Sequence, residues 1–168
     1  MFKKFIYAVL FLFLFQSVSF AAGSSVSWSY AGSKERKWIE VTATFTCHSS
    51  GGAFETTPIY LNETTESSGQ VMDFTGMYLY HVAYYYGSTA PTDNSDIEIR
   101  EHSSSGRDIL HGAGANMIDN ATNNNFKPWI NSAESAMPIY GPLYLYITGN
   151  SVNSASGTLV MRFLPGDM

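Results

Sequence analysis

WIEVTATFTC, residues 38–47, alternates without a break. Ile39, Val41, Ala43, Phe45 and Cys47 occupy one parity, and Glu40, Thr42, Thr44 and Thr46 the other. Successive side chains of a strand point to opposite faces, so this stretch has one apolar and one polar face, as a half-buried strand requires. Its β-branched and aromatic residues suit a pleated surface and gain little in a helix. The same parity puts Cys47 in the core as a small hydrophobe. It is the single cysteine of the chain, so no internal disulfide can form and stability must come from packing.

Working outward, period-2 alternation recurs between turn-forming residues. Residues 26–30 form a short candidate strand and 59–61 a weaker one. Residues 76–87 (GMYLYHVAYYYG) are the longest strand-like run. Residues 96–102 set Ile97 and Ile99 against Glu98 and Arg100, and after a Ser-Ser-Ser-Gly turn residues 107–110 can return as a hairpin partner. Residues 143–148 place Leu143, Leu145 and Ile147 on one face, and 157–164 close the chain with Leu159, Met161 and Phe163 inward. About seven or eight strands at this spacing predict an all-β, antiparallel β-sandwich, jelly-roll-like, in one domain over residues 22–168.

One segment departs from this pattern. Residues 111–138 are rich in Asn, Gly, Ala and Ser and contain Pro128 and Pro138. A structureless loop of that length is uncommon in a compact domain. Residues 115–122 allow one or two helical turns. Otherwise the segment is an arm draped over its own domain or a neighbour, with Phe126, Trp129 and Ile130 as apolar anchors.

The N-terminus carries Lys3 and Lys4, then an uninterrupted apolar run at 5–15 (FIYAVLFLFLF), then Ser19-Phe20-Ala21 with small residues at the positions a signal peptidase reads. That is the layout of a secretory signal over residues 1–21. The run is too short to span a bilayer, which needs about 20 residues. The expectation is a secreted or extracellular protein, at the cell surface or in the periplasm. Cleavage leaves 168 − 21 = 147 residues, and loss of two lysines takes the formal charge from −5 to −7. Such an acidic chain repels phosphate backbones, which argues against nucleic acid, and it is a poor partner for an anionic membrane.

The tyrosines are the candidate binding residues. In the 76–87 run, Tyr78, Tyr80, Val82, Tyr84 and Tyr86 share one parity; Met77, Leu79, His81, Ala83 and Tyr85 share the other. Tyr144 and Tyr146 oppose the aliphatic parity of their strand. If the aliphatic faces line the core, a tyrosine stripe is left outside, suited to a protein interface or to stacking on sugars. The alternative is that the long strand is buried on both faces, or that the arm covers the stripe.

Catalytic and metal chemistry finds little support. Asp93-Asn94-Ser95-Asp96 offers oxygen ligands at a turn but not at EF-hand spacing, and Asx residues at turns mostly bond their own backbone. His48, His81, His102 and His111 form no zinc-ligand pattern. Asp108 and His111 are spaced for an acid–base pair, yet no Gly-x-Ser-x-Gly elbow supplies a nucleophile. Gly112-Ala-Gly114 lacks the third glycine of a dinucleotide site. No cofactor is expected. Asn62-Glu-Thr64 and Asn120-Ala-Thr122 match the glycosylation sequon.

The stretch 90–120, with Pro91, Thr92, Asp96, Ile97, Gly106, Asp108, Leu110, Gly112 and Gly114, resembles small structural proteins of tailed bacteriophages. So does the ending, with Pro138, Gly141, Leu143, Leu145, Gly149-Asn150 and Ser156-Gly157. The resemblance covers about half of the chain after the signal. It implies a β-sandwich virion or surface-assembly subunit with no catalytic residues, and the secretion signal, a departure from that pattern, suggests a cell-exported relative.

Together these readings lead to a secreted, non-enzymatic subunit that assembles with copies of itself into a filament, layer or appendage. The interface residues expected are Tyr78, Tyr80, Tyr84, Tyr86, Tyr144, Tyr146, Phe126 and Trp129. The second reading is a monomeric glycan- or protein-binding module using the same tyrosines, and the third an unrecognised secreted hydrolase.

Overall fold

The computed structural model describes residues 23–33, 38–59, 74–102, 105–130, 133–134 and 136–166. The expected signal segment, residues 60 and 61 of the 59–61 candidate strand and the Asn62 sequon lie outside these. The fold is all-β, with antiparallel sheets packed face to face as a sandwich, and no helix occurs among the described residues.

Eleven strands are present among them: β1 (Ser25–Ser33), β2 (Trp38–Thr46), β3 (Thr57–Pro58), β4 (Met77–Tyr86), β5 (Asp96–Glu101), β6 (Asn124–Phe126), β7 (Trp129–Ile130), β8 (Ala133–Glu134), β9 (Met137–Pro138), β10 (Leu143–Thr148) and β11 (Ser156–Pro165). The six long strands are those that alternation marks in the sequence. The five short ones, of two or three residues, cannot show a period. The larger sheet runs β1-β2-β11-β4-β6, with β9 also on β4; the smaller runs β3-β10-β5; β7 and β8 pair with each other.

The core is the sum of the inward parities. Val41, Ala43 and Phe45 of β2, Leu159, Met161 and Phe163 of β11, and Leu143 and Leu145 of β10 are fully buried, as are Ile99 of β5 and the free thiol of Cys47 nearly so. Phe74 stacks on Phe163 at 4.4 Å between ring centroids, and Phe54 meets Phe45 edge-on at 5.8 Å. Gly157 is the inward residue of β11 opposite Phe45. A Cβ there would come within 2.8 Å of the Phe45 ring and 2.9 Å of the Tyr84 ring, so the missing side chain makes room for two aromatics.

The 111–138 arm wraps its own domain. Asp108 accepts from the backbone N–H groups of Ile99, Leu110 and Gly112, which locks a tight turn. Asn116 takes positive φ (55°) and Ile118 bridges Ser95 as extended backbone, which excludes the helical turns expected at 115–122. The return at 107–110 is a single bridge, Arg100 to Asp108, followed by turns rather than a strand. Ile109, Leu110 and Ile118 are fully buried under this segment, and Tyr84 Oη donates to the Asp119 carbonyl at 3.3 Å. The arm then reaches the larger sheet, where β6 and β9 both pair with β4.

Candidate functional site

The tyrosines divide among four environments instead of forming one stripe. The cause is a β-bulge in β4: Arg162 of β11 stands opposite His81, while the next residue, Phe163, stands opposite Leu79. Tyr80 is left without a partner, and the parity of everything after it reverses. Tyr78 and Tyr80 therefore face outward as expected, Tyr80 being 43% exposed. Tyr84 is a correction: past the bulge it points inward and is fully buried beside Val82. Tyr86 shares its parity but lies at the strand end and is 45% exposed. Tyr144 and Tyr146 face outward from the smaller sheet, half-buried, with the Arg100 guanidinium 5.2 Å from the Tyr146 ring centroid. They thus lie on the opposite side of the sandwich from Tyr78 and Tyr80.

Phe126 is the second correction. It stands opposite Val82, shares that residue's inward direction and is 7% exposed. It anchors the arm to its own core and offers nothing to a neighbour. Trp129 lies in β7, but its side chain is outside the described residues.

What the bulge does create is an aromatic end on the outer face of the larger sheet. Tyr78 is flanked across the strands by Leu164 on one side and Pro138 on the other. Three adjoining depressions mark this end. The first, about 350 Å³, is lined by Trp38, Glu40, Tyr80, Arg162 and Leu164. The second shares Leu164 with it and adds Tyr78, Ala136, Pro165 and Gly166. The third continues past Tyr78 to Pro138 and Tyr140, which is 64% exposed. A charged row borders the apolar one: Arg162 pairs with Glu40 at 2.8 Å, and Lys127 Nζ lies 5.4 Å from the Tyr80 ring centroid. His81, opposite Arg162, is half-buried. Burial, then the Arg162 and Lys127 charges, push its pKa below the ordinary histidine value. Trp38 was missed, although its parity, shared with Glu40 and not with Ile39 and Val41, could have marked it as outward. Tyr140, Lys127 and Leu164 carried no such signal, because loop packing and the last turn of β11 bring them here.

The second feature is an edge. β1 ends the larger sheet, and no strand lies on its outer side among the described residues. Its sequence, SVSWSYAGS, has no charge and no proline. Ser25, Ser27 and Ser29 are exposed on the outer face, while Trp28, opposite Ala43, points in and is 4% exposed. Trp28 Nε1 and Tyr30 Oη are buried with no hydrogen-bond partner, and burial pushes the Tyr30 phenol up to about 12. The other sheet edges are blunted. β4 is covered by β6 and β9. On β5, Ile97 N–H and Glu101 N–H donate to the carbonyls of Gly114 and Arg107, and the Ile99 carbonyl accepts from Ile109. β3 carries Pro58, which has no N–H to offer.

The remaining titratable candidates serve the framework. Asp96 accepts from Asn116 N–H and Asn94 donates to Asp93, so the 93–96 turn spends its oxygens locally. Asp108, considered as the partner of His111, is taken up by three backbone N–H groups. The buried Glu101 carboxylate pairs with Arg107 at 3.0 Å and accepts from Tyr140 N–H at 2.7 Å, stapling β5 to the chain after β9. No group of three or more His, Cys, Asp or Glu fit to hold a metal occurs among the described residues. No described helix is long and apolar enough to cross a membrane. No family model, no curated protein and no solved structure matches the chain.

Proposed function

We propose that the protein is an exported, non-enzymatic structural subunit that assembles with copies of itself through the open edge of β1. The observation that carries this reading is a nine-residue strand without charge or proline that is an edge among the described residues, on a sheet whose other side is covered. Such an edge presents a row of unpaired N–H and C=O groups and is a template for another strand; monomeric proteins blunt it with lysine, proline or a bulge. Low charge, 14% of residues, and the N-terminal signal layout support an assembled, exported role.

The test is the double variant Ser27→Lys/Ser29→Lys. Both positions face solvent, so the fold is retained, while lysines on an edge strand oppose pairing, and like charges opposite each other destabilise a ladder. The variant is expected to stay monomeric where the exported wild type forms oligomers by size-exclusion chromatography and negative-stain imaging. Equal assembly of both proteins refutes edge pairing. Intact mass of the exported protein checks the signal: loss of residues 1–21 is expected, and a protein retaining Met1 contradicts export.

A further inference from the structure

The aromatic end of the larger sheet lies apart from the β1 edge and has the chemistry of a ligand site. We propose that it binds a neutral polysaccharide, a chain of uncharged hexopyranose units laid across the strands with one unit in the cleft between Trp38 and Tyr80.

The geometry suits a chain. On the outer face Leu164 stands opposite Tyr78, and Tyr78 opposite Pro138. Phe163 pairs with Ile39, so the next step of the same ladder brings Trp38 beside Leu164, and both line the cleft. The apolar row Trp38–Leu164–Tyr78–Pro138 therefore crosses neighbouring strands β2, β11, β4 and β9, a span of about 14 Å at the usual interstrand spacing. Tyr140 extends it past Pro138. The cleft at the Trp38 end, about 350 Å³, falls at the small end of the range for ligand sites, roughly 300–1,000 Å³. Trp and Tyr rings are flat apolar surfaces with a polar tip, so the C–H face of a pyranose stacks on them while its hydroxyls reach polar groups. Tyr80 is presented because the bulge leaves it unpaired and turned out of the ladder.

The charges select the class of ligand. Those of the cleft are Glu40 and Arg162, which pair with each other at 2.8 Å, so the cleft is formally neutral. An anionic polymer finds no net positive charge there and meets a chain of net charge −5. The ion pair runs through Nε of Arg162, and a guanidinium has further N–H donors and a carboxylate further lone pairs. A pair of neighbouring sugar hydroxyls, each both donor and acceptor, uses the two together. A proline-rich peptide, the other common ligand of aromatic grooves, brings carbonyls but few N–H groups and would cover the carboxylate without a donor for it. A second protein surface fits less well, because interface cores are depleted of charge, whereas the Arg162 side chain stays 52% exposed.

Affinity electrophoresis of the mature protein tests this, in native gels containing hydroxyethylcellulose, galactomannan, xyloglucan or anionic alginate, with mobility referred to a gel without polysaccharide. Retardation is expected in at least one neutral gel and not in alginate. Trp38→Ala and Tyr80→Ala should each weaken it by about tenfold or more. Tyr86→Ala, an exposed tyrosine at the far end of β4, should bind as the wild type does. Thermal unfolding verifies that each variant is folded; if Trp38→Ala is not, the half-exposed Tyr80→Ala decides. The Ser27→Lys/Ser29→Lys variant should also bind as the wild type does, so a failure of assembly and a failure of glycan binding are read apart. Absence of retardation in all three neutral gels overturns the proposal. So does retardation that survives the Tyr80 substitution, retardation lost equally in Tyr86→Ala, or stronger retardation by alginate than by any neutral chain.

Discussion

Phe163 faces Leu79 across β11 and β4, although its neighbour Arg162 faces His81; two strands that advance together therefore differ by one residue at Tyr80. This slip decides which tyrosines are core and which are surface. Before it, Tyr78 and Tyr80 look outward; after it, Tyr84 looks inward and lies against Gly157 and Phe45.

The two tyrosines should respond in opposite ways to truncation. Tyr84→Ala removes a fully buried ring and the bond to Asp119, and is expected to destabilise the fold by about 3–5 kcal/mol. Tyr80→Ala, at a half-exposed position, should change stability by about 1 kcal/mol or less. Urea unfolding of the two variants measures both. Equal effects would mean that the bulge does not separate their environments.

Phe126 is predicted to act on stability and not on association. It fills the core against Val82, so Phe126→Ala should cost about 3–5 kcal/mol by the same measurement. A variant with unchanged unfolding but lost oligomers would return this residue to an interface role.

Cys47 is expected to react slowly. It is 1% exposed, and burial pushes its thiol pKa up, which lowers the thiolate fraction that reacts. Rapid modification of the native protein by a thiol reagent, or a disulfide-linked dimer on a non-reducing gel, contradicts this. Cys47→Ser should destabilise by about 1–3 kcal/mol, the cost of placing a hydroxyl in a largely apolar buried site.

The parity of residues 38–47 was enough to read β2, its core face and Cys47. The same rule read β10 and β11 and the aliphatic half of β5. It failed in β4 for a definable reason. A bulge inserts one residue without any compositional mark, since Tyr, His and Ala are all tolerated on either face, so counting by twos carries the wrong parity past Tyr80. The arm was partly legible. Its length and its apolar residues were visible, but the turn at 108–112 depends on where the Asp108 carboxylate finds its N–H donors, and two- and three-residue strands such as β6 and β9 are made by the sheet edge they join. The aromatic end was the least legible part. Trp38, Tyr80, Tyr140 and Leu164 come from four separate regions of the chain, and only the strand order brings them together.

Acid should weaken the fold through His81. Its folded pKa is held below the ordinary 6.5 by burial and by the Arg162 and Lys127 charges. As pH falls through about 6.5 the unfolded chain takes up the proton first, so stability present above that pH is lost below it, until the folded state protonates as well. His81→Gln removes this contribution. The difference in thermal midpoint between wild type and His81→Gln should therefore shrink between pH 7.5 and pH 5. A difference that is constant over that range, or that grows on acidification, contradicts a depressed His81.

The central claim, assembly through the open β1 edge, is tested most directly by the mass of the exported wild-type protein in solution. Sedimentation velocity from low to high micromolar concentration is predicted to show species larger than the monomer, growing with concentration and absent in Ser27→Lys/Ser29→Lys. A wild type that sediments as a monomer across the whole range contradicts the claim.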